Sequence, residues 1–360
     1  MERHEFAQLQ LLPYDYKIQR AIRKAREFQA EISMNYGRYE WECGNVHVSV
    51  GGLDSITLLV FLRKYVNPEM TAVSVSALED KSIQATHKVL GVEVIKPLKS
   101  KTEVIREFGF PVISKAKARK IECLQDADCP KQTFIHAIMT GEMGKQGKFQ
   151  HSDKIKLPDK WLELFGGHYA DHRPDLRCQV APFRVSDRCC HHMKEKPCGD
   201  WAKEHNSYPY LGLMASEGGQ RELGLIKNGC NYYGKNSVRS CPFAIFTRQD
   251  LLRLALELNV PVPKIYGKIA QKDDGTLYTT RAQRTGCSMC GFGIHIEDRP
   301  HRFDRLYEDN PAEWDYWMNH CAIDYVTGEA YGWGRVLDYI GVGWRQTDME
   351  IAQMTMGGFG

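Results

Sequence analysis

The sequence predicts an α/β protein: a doubly wound, mainly parallel five-stranded sheet flanked by helices, with an insertion and a helical C-terminal region. Three observations lead there. Residues 45–95 alternate strand, helix, strand, helix, strand, the order that right-handed crossovers turn into a parallel sheet. A glycine pair, Gly51-Gly52, lies where the first strand hands over to a helix. The same α/β pattern returns after a long break, from about 210 to 258.

The elements follow in order. Residues 14–34 place Ile18, Ala21, Ile22, Ala25, Phe28 and Ile32 on one helical face, with Lys and Arg between them on a solvated face. Residues 45–50 read as a buried strand. Residues 55–65 read as a helix with Leu58, Leu59, Val60 and Leu62 inward. A second strand is expected over 70–77, a helix over 83–90 and a third strand over 92–95. From 114 to about 182 the periodicity weakens. That stretch is basic at its start (Lys115, Lys117, Arg119, Lys120) and loop-like, an insertion or lid. It is either a solvated loop or a contact surface for a polyanionic substrate. Strand-like runs resume at 210–215 and 239–246, then a helix over 248–258 that Pro261 and Pro263 end. The expected organisation is a helical segment 1–44, an α/β domain 45–280 with its insertion at about 114–182, and a C-terminal cysteine-pair and helical region 281–360.

Composition sets the broad class. The 360 residues are 42% hydrophobic and 26% charged, as in soluble globular proteins. A net charge of +3 does not by itself imply a nucleic-acid or membrane partner. No apolar run is long enough to span a bilayer, and MERHEFAQLQ has no apolar core of a secretory signal. A cytoplasmic protein without membrane partners is expected. Its twelve cysteines are then reduced thiols: packing residues, metal ligands or nucleophiles.

Gly51 and Gly52 follow a strand, and Ser55 opens a helix. Backbone N–H groups in such a turn form an anion-binding concavity, which the helix dipole reinforces. Asp54 and Ser55 can cap the helix. Ser55 can also donate to a phosphate oxygen, and Asp54 can help hold a phosphate-bound metal ion. Ser49 adjoins the loop on the opposite strand face from Val50.

The cysteines form two motifs. Cys189 and Cys190 are adjacent, and Cys287 and Cys290 form a C-x-x-C. Adjacent side chains normally diverge, so a Cys-Cys pair suits a cubane cluster better than tetrahedral zinc, with zinc as the alternative.

The run Val50-Gly51-Gly52-Leu53-Asp54-Ser55 resembles the pyrophosphate loop of the ATP pyrophosphatase superfamily, which includes phosphoadenosine phosphosulfate (PAPS) reductases. Val50 replaces the first serine of that pattern. The Cys-Cys and distant C-x-x-C resemble the iron–sulfur branch of the sulfonucleotide reductases. The resemblance implies one [4Fe-4S] cluster on Cys189, Cys190, Cys287 and Cys290, with Lys194 beside it. It extends to Glu79 after the second strand and to "GLMASEGGQRE", where Glu217 and Arg221 match but Gly218 replaces a serine and Met214 an arginine. Arg284 precedes the C-x-x-C as in the family. Ser49, Gly51, Gly52, Asp54, Ser55, Glu79, Glu217, Arg221 and Arg284 are thus the expected nucleotide-site residues, with Asp54, Ser55 and Arg221 the catalytic candidates.

One departure bears on activity. The reductases carry a nucleophilic cysteine near the C-terminus, and this chain has none after Cys321. The resemblance therefore implies ATP and Mg²⁺ binding, adenylylation of a substrate, and sulfur transfer to a nucleic-acid or small-molecule acceptor. The alternatives are a PAPS or APS reductase using another thiol, Cys321 or Cys230, and a non-catalytic nucleotide-binding or regulatory protein. A homo-oligomer is compatible with each.

Overall fold

The computed structural model describes residues 3–39, 42–143, 151–235 and 237–345. The last part of the expected helical tail, 346–360, lies outside the described residues. The chain forms two compact units, residues 1–97 with 194–288, and residues 98–193 with 289–360.

The first unit is α/β. Its main sheet has six strands, β1 (Asn45–Ser49), β2 (Thr71–Ser74), β3 (Glu93–Val94), β4 (Ser207–Tyr210), β5 (Asn231–Gly234) and β6 (Ser237–Ser240). Their order in the sheet is β3-β2-β1-β4-β6-β5. All pairings are parallel except β5 with β6. The sheet thus has six strands rather than five. The extra one comes from a hairpin, "NYYGKNSVRS", whose first strand adds an antiparallel edge. The run 241–246, expected to continue a strand, instead turns and buries Phe243, Ala244, Ile245 and Phe246 in the core.

Helices α1 (Arg3–Gln10), α2 (Tyr14–Asn35), α3 (Leu53–Tyr65), α4 (Lys81–Val89), α5 (Lys196–Glu204), α6 (Gly219–Asn228) and α7 (Arg248–Glu257) belong to the same unit. The apolar stripe of α2 is realised: Ala21, Ala25, Phe28 and Ile32 are fully buried. Each large side chain so buried contributes about 1.5–3 kcal/mol. Tyr210 Oη donates to the Ala25 carbonyl at 2.6 Å, and Lys17 pairs with Asp250 at 2.7 Å, so α2 is tied to β4 and α7. Helix α3 is buried on most sides, through Leu53, Ile56, Thr57, Leu58, Leu59, Phe61 and Leu62, while Val60 is only partly buried.

The strand order reverses between β1 and β4. In open parallel sheets, ligands bind outside the carboxyl ends of the strands at such a switch point. Here the loop after β1 carries Gly51 and Gly52, and the loop after β4 carries residues 211–218.

The second unit has its own core, around Phe110, Phe165, Phe303 and Trp333. Where the sequence pattern weakened, the chain is helical: Lys115–Leu124, Gln132–Thr140 and Asp159–Phe165. The loop-like expectation fails because cations mask a helical stripe. Ala118, Ile121 and Leu124 recur at helical spacing and are buried, while the basic residues occupy the outer positions. Several of these cations have partners within the unit. Arg119 bonds Asp187, Lys120 Nζ donates to the Lys154 carbonyl at 2.8 Å, and Lys117 lies over the Trp161 ring. Among the described residues, no helix is long and apolar enough to cross a membrane.

Candidate functional site

The loop after β1 is built by close backbone packing. A Cβ on Gly52 would lie 2.3 Å from Tyr266 Oη, and a Cβ on Gly212 would lie 2.9 Å from the Ser55 backbone. Glycine is needed at both positions because neighbouring atoms fill the space of a side chain. Gly52 is the N-cap of α3 and supplies no capping side chain. Tyr266 Oη instead accepts from Leu53 N–H at 3.1 Å, and lies 2.6 Å from Thr285 Oγ1. Ser55 Oγ accepts from Gly51 N–H at 2.7 Å and donates to the Gly52 carbonyl at 3.0 Å. The Gly51 carbonyl accepts from His87 Nε2 at 2.8 Å. A carbonyl can only accept, so Nε2 carries the proton and Nδ1 accepts from Ser76 Oγ at 2.8 Å. Burial lowers the His87 pKa and keeps that imidazole neutral.

Around this loop lies a cleft of about 680 Å³. Every nucleotide-site residue expected from the sequence lines it: Ser49, Gly51, Gly52, Asp54, Ser55, Glu79, Glu217, Arg221 and Arg284, together with Lys194. Asp54, Glu79 and Glu217 each have a cation. Arg248 Nη1 donates to Asp54 Oδ1 at 2.5 Å. Burial pushes the Asp54 carboxyl above the ordinary range, against the pull of that guanidinium. Lys194 Nζ donates to the buried Glu79 at 2.5 Å. Burial alone would depress the Lys194 pKa. The Cys287 sulfur and the Glu79 carboxylate outweigh it and hold the ammonium above the usual lysine range. Lys194 therefore joins the cleft to Cys287. Glu217, 6% exposed, bonds Arg221 and lies 3.9 Å from Arg284 Nη2, while its Oε2 accepts from Met214 N–H at 3.3 Å. The two arginine side chains are 53% and 67% exposed, with their shared carboxylate buried beside them. That arrangement suits recognition of an anionic ligand.

No protein-family model and no curated protein matches the chain. Among solved structures, the crystal structure of a phosphoadenylyl-sulfate (PAPS) reductase from Candida auris, in a phosphate complex, is similar at 9% identity and a TM-score of 0.33. The match covers 73% of this chain and 95% of that one.

Several substitutions gain a local reason. Gly218 stands where the resembled pattern has serine, and its backbone takes a φ of +73°, a conformation that favours glycine. Met214 is buried and serves through its backbone N–H. Val50 is 6% exposed and belongs to the hydrophobic core, although it also borders the cleft. Its N–H donates to the Val73 carbonyl at 2.8 Å, extending the β1–β2 ladder. Ser49 Oγ is 3.4 Å from His47 Nε2.

The cysteine motifs divide between the units. Cys287 belongs to the first, and Cys189, Cys190 and Cys290 to the second. Among the described residues, no group of three or more His, Cys, Asp or Glu side chains forms a metal-ion site. Arg248, Tyr266, Thr285 and His87 were not among the expected site residues. Arg248 reads in the sequence as the first residue of a helix capped by Thr247, and nothing local signals that it reaches Asp54.

Proposed function

We propose that the first unit binds an adenine nucleotide in this cleft, and that the protein couples ATP-dependent adenylylation to sulfur transfer. One observation carries the reading. At the β1–β4 switch point, a glycine loop, Ser55 and the cations Lys194, Arg221 and Arg284 converge on a cleft whose volume suits a single small-molecule ligand. In this reading the loop amides, Ser55 and Arg221 hold the leaving pyrophosphate, where negative charge develops as the α–β bond breaks. Asp54, now paired with Arg248, would be the residue to hold a phosphate-bound Mg²⁺, which would neutralise charge on the phosphates.

Cys189, Cys190, Cys287 and Cys290 are the proposed ligands of a [4Fe-4S] cluster, with zinc the alternative. Four thiols are the donor set such a cluster takes, and it would supply a site for binding or delivering sulfur. No step above depends on it. Iron and sulfide content after anaerobic purification tests this part by itself. The acceptor is a nucleic acid or a small molecule.

A sulfonucleotide reductase working through another thiol is less well supported. Cys321 is fully buried, its Sγ donates to the Trp317 carbonyl at 3.3 Å, and burial pushes its pKa up to about 12. Cys230 is buried and its pKa is also raised by burial. Nucleophilic thiols need the opposite, an accessible sulfur with a depressed pKa. The test is release of pyrophosphate and AMP from ATP, alongside sulfite release from PAPS and APS with thioredoxin. Pyrophosphate without sulfite is expected. Sulfite release would favour the reductase. Tight ATP binding with no turnover on any acceptor would favour a non-catalytic role.

A further inference from the structure

One wall of the cleft is the segment 283–286, which has no regular secondary structure. It carries Arg284 and leads directly into Cys287. The chain is tied down on either side of it. Arg248 Nη2 donates to the Gln283 carbonyl at 3.1 Å, and Ser288 N–H donates to the Leu78 carbonyl at 2.7 Å. Between those ties, and among the described residues, 284–286 make one hydrogen bond, Thr285 Oγ1 with Tyr266 Oη at 2.6 Å.

Tyr266 is a fixed post for that bond. It is buried at the end of the turn Lys264–Tyr266, its N–H donates to the Pro263 carbonyl at 2.9 Å, and its carbonyl accepts from Arg281 N–H at 3.1 Å. Its hydroxyl touches both sides of the cleft. Oη accepts from Leu53 N–H, the first N–H of α3, at 3.1 Å, which leaves its own proton for Thr285 Oγ1. Burial raises the phenol pKa, and the Asp54 and Glu79 carboxylates add to the rise, so the hydroxyl keeps that proton. Packing agrees with the bonding. A Cβ on Gly52 would meet Tyr266 Oη at 2.3 Å and Thr285 Oγ1 at 3.0 Å. Loop, phenol and wall thus meet at one point, and Arg284 is the next residue along. Its side chain is 67% exposed and 3.9 Å from Glu217, so the backbone beneath it sets where the guanidinium can reach.

We propose that Tyr266 is a positioning residue of the nucleotide site: its hydroxyl pins the 283–286 wall to the glycine loop and so places Arg284 over the ligand. A wall held in its binding position before the ligand arrives loses less freedom on binding, and the difference appears as affinity. The inference rests on the nucleotide reading above and adds to it a residue that touches no ligand and acts through Thr285 on Arg284.

The test is calorimetric titration of ATP into wild-type protein, Thr285→Val, Tyr266→Phe, Arg284→Ala and the Thr285→Val, Arg284→Ala double variant, each checked for folding by circular dichroism. Thr285→Val is the cleaner break, because it leaves the phenol on Leu53 N–H. Loss of this one hydrogen bond should weaken ATP binding about fivefold in Thr285→Val and in Tyr266→Phe alike. Arg284→Ala should weaken it at least as much. In the double variant the effect of Thr285→Val should vanish, so that its affinity matches that of Arg284→Ala within about twofold. Thr285→Ser keeps the hydroxyl and should bind as the wild type does. The proposal is overturned if either hydroxyl-removing variant binds ATP as tightly as the wild type, if Thr285→Ser loses as much as Thr285→Val, or if Arg284→Ala is silent. It is also overturned if the losses in the double variant add, since Tyr266 would then act independently of Arg284. No ATP binding by the wild-type protein would instead sink the ATP reading, and this inference with it.

Discussion

Arg248 donates to the Asp54 carboxylate at 2.5 Å, so the acidic residue of the glycine loop meets a cation from the start of α7. Burial raises the Asp54 pKa, and Arg248 opposes that rise. A carboxyl with a raised pKa favours the folded state at low pH, and this contribution is lost as pH rises through its folded value. Arg248→Ala widens that effect. The variant should be less stable than wild type by about 1–3 kcal/mol at pH 7, the range for leaving a partly buried charge unpaired, and the gap should narrow towards pH 4. Urea denaturation at the two pH values measures it. An equal gap at both would mean that the pair does not govern the Asp54 charge.

Gly52 and Tyr266 should be coupled. Gly52→Ala puts a methyl 2.3 Å from Tyr266 Oη, and that tyrosine also holds Leu53 N–H. Tyr266→Phe removes the clashing oxygen, so the ring carbon at 3.5 Å and Thr285 at 3.0 Å become the nearest atoms. The double variant should therefore be more stable than the two single losses summed, by about 1 kcal/mol or more. Additive losses in a denaturant cycle would show that the loop can shift away from the ring.

His47 sets a pH dependence outside the cleft chemistry. It is buried, with Nδ1 2.8 Å from Ser207 Oγ, and burial lowers its pKa from 6.5 to about 4. A depressed histidine contributes stability above its unfolded pKa and loses it as pH falls through the folded one. Stability should fall by about 3 kcal/mol between about pH 6.5 and 4. A His47→Gln variant should lose most of that slope in the same titration. An unchanged slope would assign it to other groups.

Breaking the Lys194–Glu79 pair should be expensive. Lys194→Met leaves Glu79, 4% exposed, without its ammonium. A loss of about 3 kcal/mol is expected, the low end for a broken buried pair because Lys194 is itself part-exposed. Adding Glu79→Gln should recover much of it. No recovery in the double variant would indicate that Lys194 stabilises chiefly through Cys287.

Much of the cleft is legible in the sequence because its residues are local to strand ends. Gly51, Gly52, Asp54 and Ser55 follow β1 directly, whereas Glu217 and Arg221, further beyond β4, are legible only through the family resemblance. Arg248, Tyr266 and Thr285 reach the loop from elsewhere in the chain, and such contacts leave no periodic trace. The edge hairpin leaves little trace in the sequence because "NYYGKNSVRS" carries no clear apolar alternation and its described residues are half-buried at most positions. The helix Lys115–Leu124 is hard to read for a related reason. Its inward residues are only Ala118, Ile121 and Leu124, set among cations that dominate the pattern.

The most direct test is calorimetric titration of ATP, PAPS and APS into wild-type protein and into the Arg221→Ala, Arg284→Ala double variant. Saturable binding of at least one of these nucleotides is expected, weakened about tenfold or more when both guanidiniums are removed, with the fold intact by circular dichroism. No binding of any adenine nucleotide by the wild-type protein, or equal affinity in the variant, would contradict the nucleotide reading.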